Sequence, residues 1–421
     1  MVEGKIIYFD NAATSYPKPE AVYQAQDASL RRAGNPGRGA HRIALNSARE
    51  VFQGRHEIAS FLDIRRSEQL IFTPGCTYAI NAVLRGFPFA QKFSAAGKPV
   101  VLVGPLEHNA VMRPLDRLEK AGILHIHRLK YAIGGVVDMK ELNDAVKELK
   151  PVLCAIQEGS NVTGELVDIA SVWEICRASK ISLLVDAAQT AGSIPASLAQ
   201  LIATGDTTTD DGNGFFWCAS GHKGLLGPPG IGLLFVGTKM NIEPLVAGGT
   251  GSNSENLEMP AHYPDRLESG SQPVHLIAAL AGGISWLKQE GVERLRQKEI
   301  DLTNRFLTWC SKQSYIKVAG NRIPGSSGSK KEQSLRAGLA IVSFTIDEVP
   351  SDRVADLLDR EFGIAVRSGL HCAMAAHESL GTLKTGLTRA SFGCFNTVDE
   401  VDQLCEALAT IYSKRNSLLS V

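Results

Sequence analysis

Short runs of apolar residues recur between residues 99 and 237 and are separated by longer amphipathic stretches. Five such runs are PVVLVG (99–104), PVLCAIQ (151–157), ISLLVDAA (181–188), GFFWCAS (214–220) and GIGLLFVG (230–237). Runs of this kind are typical of strands buried on both faces, and the stretches between them fit crossover helices. The pattern therefore predicts an α/β fold on a mainly parallel sheet, with ligands bound at the strand ends.

Helical periodicity is clear in five stretches, 20–31, 44–62, 77–85, 109–120 and 168–179. Several of them follow Asn, Asp or Ser residues, whose side chains can cap the first turn of a helix. We therefore expect these five helices to flank the sheet.

The pattern of apolar and polar residues changes after Ser269. An amphipathic region, 273–311, leads through the polar segment GNRIPGSSGSKKEQ to further strand and helix patterns: LAIVSFTI, DRVADLLDRE, GIAVRSG and VDEVDQLCEALATIY. A chain of 421 residues also exceeds the roughly 250–300 residues at which one core stops growing. We expect a large domain over residues 14–290 and a smaller α+β domain formed by 1–13 and 291–421. The polar stretch GDTTTDDGNG (205–214) is expected to be a surface loop.

Charge gives no indication of a polyanionic partner. The 44 Lys and Arg residues equal the 44 Asp and Glu residues, so nucleic acid and anionic membrane surfaces are poor partners. The start, MVEGKIIYFD, does not resemble a secretory signal. The apolar stretch 276–287 is shorter than the about 18 residues that suggest a membrane span. We expect a cytoplasmic protein that does not cross a membrane.

Several common site types are disfavoured. The eight cysteines are scattered without a C-x-x-C pair, which argues against a disulfide scaffold or a structural zinc site. Gly320 and Gly325 have P-loop spacing, but Ser326 stands where Lys is required, and G-x-S-x-G and H-E-x-x-H are absent from the sequence. His125 and His127 fit a strand with a half-exposed His pair better than a metal site. We expect no bound metal.

Three local signals remain. Asp186 and Gln189 follow an apolar strand in LLVDAAQTAG, where the acid could also cap the next helix. Lys223 follows another strand in CASGHKGLLGPPGIG, and a desolvated lysine can form a Schiff base. Cys76 and Thr77 open a helix after a glycine, which suits phosphate binding by backbone N–H groups. A Schiff-base lysine, a strand-end acid and a phosphate site are the parts that pyridoxal phosphate requires.

With these motifs the sequence resembles the class V aminotransferases, and within them the cysteine desulfurases and selenocysteine lyases. The resemblance runs from YFDNAATSYPKP through RGAHRIA, LEHNAV, NVTGE, DAAQTAG and SGHKGLLGPPGIG to RSGLHCA and TRASFGCFNT. It implies the aspartate-aminotransferase-like fold of pyridoxal-phosphate enzymes, fold type I. The subgroup that the chain most resembles usually has a second His where Leu370 stands, and Pro near Ala375.

The resemblance also implies roles around the cofactor ring. Lys223 would form the Schiff base and move the substrate Cα proton, and Asp186 would pair with the pyridinium nitrogen. Gln189 would hydrogen-bond the phenolic oxygen, and His108 would stack on the ring face.

Further residues would hold the phosphate and the substrate. Those assigned to the phosphate are Cys76, Thr77, Ser220, His222 and the partner subunit's Ser271, so the resemblance implies a homodimer with a shared active site. Asn161 would touch the cofactor or the substrate carboxylate, and Arg389 would clamp that carboxylate. His41 and Arg367 would line the substrate pocket.

Cys372 in RSGLHCA would decide the chemistry. A thiolate there could take the sulfur of L-cysteine, which gives L-alanine and an enzyme persulfide, with His371 and Arg367 as sources of activation. The persulfide would pass to a sulfur-acceptor protein, as in iron–sulfur cluster assembly. Three alternatives stay open: a selenocysteine lyase acting on L-selenocysteine, another class V aminotransferase or lyase, and a non-catalytic iron–sulfur assembly scaffold.

Overall fold

The structure is a computed structural model that describes residues 6–37, 39–92, 97–132, 135–195, 197–203, 213–237, 240–252, 254–320 and 338–418. Two features expected from the sequence lie mostly outside these ranges, the polar segment after Gly320 and the stretch 205–212. Within the described ranges, no helix has the length and apolar character needed to cross a membrane.

The strands build one large sheet and three smaller ones. They are β1 (Ile7–Tyr8), β2 (Leu70–Thr73), β3 (Val100–Val103), β4 (His125–Arg128), β5 (Tyr131–Ala132), β6 (Gly135–Val137), β7 (Leu153–Gln157), β8 (Ser182–Asp186), β9 (Phe215–Ser220), β10 (Gly232–Val236), β11 (Ile316–Val318), β12 (Ile341–Ile346), β13 (Ile364–Ala365), β14 (Arg367–Gly369) and β15 (Leu387–Ser391). The large sheet has the order β2-β10-β9-β8-β7-β3-β4, and only β10 is reversed. Every residue of β7, β8 and β9 is buried, as expected for strands covered on both faces. The predicted mainly parallel sheet and the strand at 125–128 are confirmed.

Helices pack against the seven-stranded sheet and against the four-stranded sheet. They are α1 (Glu20–Arg32), α2 (Arg42–Phe61), α3 (Cys76–Gly86), α4 (Asn109–Lys120), α5 (Met139–Leu149), α6 (Ile169–Ala178), α7 (Leu198–Ala203), α8 (Val274–Glu290), α9 (Val292–Cys310), α10 (Ser351–Phe362), α11 (Met374–Leu380), α12 (Val398–Ser413) and α13 (Arg415–Leu418). The five predicted helices are confirmed as α1, α2, α3, α4 and α6. The amphipathic region 273–311 forms two helices, α8 and α9, which meet at Gly291 with φ 80°.

The second sheet lies in the C-terminal part of the chain and has the order β11-β12-β15-β14. Helix α9 contacts β11, β12 and α12, whereas α8 contacts α1 and α2 beside the large sheet. The N-terminus joins the C-terminal part, because β1 pairs with β13 and because Ile7 and Phe9 pack in the same apolar core as Phe306 and Phe344. On these contacts we propose residues 14–290 as the large domain, and 1–13 with 291–421 as the small one.

Candidate active site

The carboxyl ends of β7, β8 and β9 meet at one edge of the large sheet, because these strands are parallel neighbours. Gln157, Asp186 and Ser220 are the last residues of the three strands, and all are buried. Asp186 Oδ1 accepts hydrogen bonds from the backbone N–H of Ala188 (3.0 Å) and from the thiol of Cys76 (3.7 Å). The predicted acid therefore has a fixed carboxylate on a rigid edge.

Lys223 lies in the turn that follows β9. The N-terminal segment holds this turn: Ser15 Oγ donates to the carbonyl oxygen of Lys223 (3.0 Å), and Lys18 Nζ donates to that of His222 (2.8 Å). Burial lowers the pKa of the Lys223 ammonium, an effect that the nearby Asp186 carboxylate opposes. A lysine whose amine is readily neutral can form a Schiff base with a carbonyl compound.

Helix α3 begins beside the same sheet edge. A Cβ at Gly232 would lie 2.5 Å from the carbonyl carbon of Gly75, so the bare glycine lets β10 approach the start of α3. The first N–H groups of a helix have no intrahelical partner and favour an anion. The Cys76 thiol is directed at Asp186, and burial strongly raises its pKa. An anion at this point would therefore meet the backbone N–H groups of Cys76 and Thr77 and not the thiol.

A cavity of about 390 Å³ lies between these groups. Its wall includes the predicted site residues Cys76, Thr77, His108, Asn161, Asp186, Gln189, Ser220, His222 and Lys223. His108 is the N-cap of α4, where its Nδ1 accepts from the N–H of Ala110 (3.0 Å). Gln189 Nε2 donates to the carbonyl oxygen of Ala12 (2.9 Å). The fold thus brings together residues from segments that are far apart in the sequence.

Burial favours the neutral form of the two imidazoles in the cavity wall. It lowers the pKa of His222 to about 4, with contributions from Lys223 and Lys18. It also lowers the pKa of His108, where Asp186 opposes the shift. Nδ1 of His222 is buried and has no hydrogen-bond partner among the residues that the structure describes. His222, a residue of the cavity wall, therefore carries an unsatisfied polar atom.

Cys372 is the exposed member of the eight cysteines, all of which lie in described segments. Both it and His371 have left-handed backbone conformations, with φ 55° and 50°, which are uncommon for residues other than glycine. The carbonyl oxygen of Cys372 accepts from the N–H of Asn109 (2.8 Å), and that of His371 accepts from Asn161 Nδ2 (2.8 Å). Because Asn161 lines the cavity and Asn109 follows His108, Cys372 lies next to the cavity.

Arg389 and Arg367 lie opposite each other on β15 and β14. Arg389 is buried, and its Nη1 donates to the carbonyl oxygen of Asn161 (2.9 Å) while its Nη2 donates to Asp10 Oδ1 (2.8 Å). Arg367 Nε lies 3.2 Å from Asp10 Oδ2. Burial, with a contribution from Arg389, lowers the pKa of His371 to about 3. The positive charge beside the cysteine loop therefore comes from the arginines, and the neutral His371 cannot activate the thiol by its charge.

Two predicted residues lie elsewhere. His41 is exposed at the start of α2, where its Nδ1 accepts from the N–H of Ala44 (3.3 Å). Ser271 is also exposed. Neither belongs to the wall of the cavity described above. Their assignment to the substrate pocket and to the partner subunit's phosphate stays a prediction.

Comparison with known proteins identifies the family. A model of the family described as aminotransferase class V matches residues 7–404. The chain belongs to this family. Two of its relatives illustrate the similarity, and both are named probable cysteine desulfurase. The protein from Methanothermobacter thermautotrophicus is 30% identical over 411 residues, 96% of this chain and 94% of the relative. The protein from Halalkalibacterium halodurans is 31% identical over 414 residues, 96% and 92% of the two chains.

Solved structures with a similar fold are also known. The apo structure of cysteine desulfurase from Thermococcus onnurineus has a TM-score of 0.83 and 26% identity, and the match covers 97% of this chain and 95% of that one. The cysteine desulfurase CsdA (S-sulfonic acid) from Escherichia coli has a TM-score of 0.78 and 25% identity, with 96% and 94% covered. The predicted fold class is confirmed.

Two acids near Asp186, the buried Glu107 and the half-buried Glu158, were not singled out from the sequence. Glu107 Oε1 accepts from the N–H of Gln157 (2.8 Å), and the N–H of Glu158 donates to the carbonyl oxygen of Asp186 (3.0 Å). Burial raises the pKa of Glu107 to about 8 and that of Glu158 to about 7. Each acid follows a buried strand of the large sheet. Acidic residues after a strand also occur where they only precede a helix, so the local sequence does not distinguish these two acids from such residues.

Proposed function

We propose that this class V family member is a pyridoxal-phosphate-dependent cysteine desulfurase, which converts L-cysteine to L-alanine and keeps the sulfur as a persulfide on Cys372. The names of its relatives support this activity. The observation that carries the proposal is the position of an exposed cysteine, hydrogen-bonded through its backbone to Asn109, beside a cavity walled by Lys223 and Asp186.

The cavity residues fit pyridoxal phosphate. The unpartnered Nδ1 of His222 and the first N–H groups of α3 suit the phosphate, and Asp186 suits a protonated ring nitrogen. Lys223 would form the Schiff base. When bound, the cofactor withdraws electrons from the substrate Cα. His108 would stack on the ring, and Gln189, Ser220, Thr77 and Cys76 would complete the binding site.

The chain's own residues supply the remaining steps. Arg389 would bind the substrate carboxylate, since a planar guanidinium matches it in two hydrogen bonds. Lys223 would take the Cα proton, because burial lowers the pKa of its ammonium group and so favours the neutral amine. The thiolate of Cys372 would attack the substrate Sγ. The S–S bond forms and the Cβ–Sγ bond breaks, and the electron pair left on Cβ takes a proton. Lys223 would then return the proton to Cα, which gives L-alanine.

One substitution tests the proposal. Wild type, Cys372→Ser and the buried-cysteine control Cys405→Ala would be incubated with L-cysteine and a thiol reductant, and L-alanine measured. We expect Cys372→Ser to lose activity by roughly hundredfold or more and Cys405→Ala to keep it. Without reductant, only proteins with Cys372 should gain the mass of one sulfur atom. Full activity in Cys372→Ser would contradict the proposal.

The cofactor and the alternatives have separate tests. All three proteins should show a visible chromophore, and Lys223→Ala should lose it as a covalent adduct. Selenide release from L-selenocysteine would be compared with sulfide release, because a selenocysteine lyase would favour the former in wild type. The names of the relatives reported above do not favour that alternative. The proposed enzyme is a cytoplasmic homodimer that passes sulfur to an acceptor protein.

A further inference from the structure

The N-terminal motif YFDNAATSYPKP contacts the turn that carries Lys223. The carbonyl oxygen of His222 accepts hydrogen bonds from Lys18 Nζ (2.8 Å) and from the N–H of Ser15 (3.1 Å). The carbonyl oxygen of Lys223 accepts from Ser15 Oγ (3.0 Å). These two carbonyl groups belong to the peptide bonds on either side of the Lys223 Cα. The N-terminal motif therefore holds the backbone on both sides of this lysine.

Lys18 is an unusual residue for such a contact, because a charge that loses hydration costs free energy. Lys18 is half-buried, and its ammonium group donates to Ser15 Oγ (2.6 Å) as well as to the carbonyl oxygen of His222. Among the described residues, no carboxylate forms an ion pair with it. Burial lowers the pKa of Lys18 to about 8, so the protonated form still prevails at neutral pH. Hydrogen bonds from a charged donor are stronger than neutral ones, so Lys18 is the strongest donor to this turn.

The direction of the Lys223 side chain follows from its backbone. Because the peptide groups on both sides are held, the Cα–Cβ bond has a fixed direction, and the side chain starts from a fixed point in the cavity wall. Schiff-base formation joins the neutral Lys223 amine to the aldehyde carbon of pyridoxal phosphate, and the aldehyde oxygen leaves as water with the two amine hydrogens. A nitrogen held near that carbon reacts at a higher effective concentration than a mobile one.

We propose that Lys18 is a positioning residue for Lys223: by holding the peptide group between His222 and Lys223, it sets the place of the amine that forms the Schiff base. The inference rests on the proposed function, because that function assigns pyridoxal phosphate to the cavity and the Schiff base to Lys223. Lys18 does not belong to the wall of the cavity, so it acts through the turn. Loss of Lys18 should therefore weaken a ligand that bonds covalently to Lys223 and spare one that does not.

The test compares pyridoxal phosphate with pyridoxamine phosphate, which has the same ring and phosphate but no aldehyde. Apo wild type and apo Lys18→Met, whose side chain is unbranched and has no donor, would be titrated with both compounds, with protein fluorescence as the readout. In Lys18→Met, pyridoxal phosphate should bind roughly tenfold or more weakly, since a charge-assisted hydrogen bond is lost. Pyridoxamine phosphate should bind within about twofold of wild type. Lys312→Met, at an exposed position, is the control and should bind both compounds like wild type.

A double variant separates the position of the amine from other effects of Lys18. In Lys223→Ala the Schiff base cannot form, so adding Lys18→Met should leave the affinity for pyridoxal phosphate unchanged. An effect of Lys18→Met that persists in the Lys223→Ala background would overturn the proposal. Equal weakening of both compounds in Lys18→Met would overturn it too, and so would wild-type affinity for pyridoxal phosphate.

If Lys18→Met does not fold, Ser15→Ala tests the same turn, because it removes the hydroxyl group that donates to the carbonyl oxygen of Lys223. The affinity for pyridoxal phosphate relative to pyridoxamine phosphate should fall, and an unchanged ratio would overturn the proposal. These titrations do not depend on sulfur release, so failure of the desulfurase assignment would be seen separately, in the assay of L-alanine from L-cysteine. A wild type that does not bind pyridoxal phosphate would overturn the cofactor assignment and this inference together.

Discussion

Glu107 is a buried carboxyl group next to His108, and its titration should affect stability. Burial raises its pKa to about 8 from 4.5, so the folded state holds a proton that the unfolded chain has released between these values. This contribution to stability is complete below pH 4.5 and is lost as the pH rises through 8. We expect Glu107→Gln, which stays neutral, to lose less stability than wild type between pH 5 and 9, by roughly a few kcal/mol.

Denaturant unfolding at both pH values checks this prediction. Desolvation also raises the pKa of the half-buried Glu158 to about 7 and that of the half-buried Glu299 to about 8, so some loss of stability at alkaline pH should remain in Glu107→Gln. Glu361→Gln, at an exposed position, serves as control and should follow wild type. Parallel pH dependence in Glu107→Gln and wild type would show that Glu107 does not hold its proton at neutral pH.

The sequence predicts the positions of some residues at the site and not those of others. Lys223 and Asp186 could be predicted because each follows its own apolar strand, so the signal is local. The ion pair of Asp10 could not be predicted, because its partner Arg389 is 379 residues away in the sequence. The activation of Cys372 expected from His371 stays a prediction, and no local pattern shows the burial that lowers the pKa of His371 to about 3.

At the scale of elements, runs of apolar residues predicted the strands well. They did not predict the direction of each strand or the point at which one helix ends and the next begins. The pattern GIGLLFVG is as apolar as its neighbours, yet β10 runs antiparallel to β9 and β2. Strand direction depends on the connection, here the short turn that carries Lys223. The amphipathic period likewise continues across Gly291, where the backbone turns and separates α8 from α9.

The contact between β10 and α3 leads to a second prediction. Gly232→Ala would place a methyl group 2.5 Å from the Gly75 carbonyl carbon, so the start of α3 must shift. We expect apo Gly232→Ala to bind pyridoxal phosphate roughly tenfold or more weakly in an absorbance titration. Gly249→Ala is the control, because no atom of the described structure lies within 4 Å of its added Cβ. Equal affinities in the two variants would contradict the role given to α3.

At the scale of the whole molecule, zero formal net charge means that two copies meet without long-range repulsion. Helix α2 packs against α8 on one side and exposes Leu45 and Phe52, which are 44% and 65% exposed and lie two helical turns apart on one face. Large apolar side chains grouped in this way are typical of a protein interface. Light scattering should therefore give the mass of a dimer for wild type and of a monomer for Phe52→Glu. Val398→Glu changes a 47% exposed apolar residue in the small domain and should leave the dimer intact.

Because the partner subunit's Ser271 is predicted to bind the phosphate, monomeric Phe52→Glu should also bind pyridoxal phosphate more weakly. A Phe52→Glu dimer would exclude this face of α2 as the interface, and a monomer with wild-type affinity would exclude the shared site.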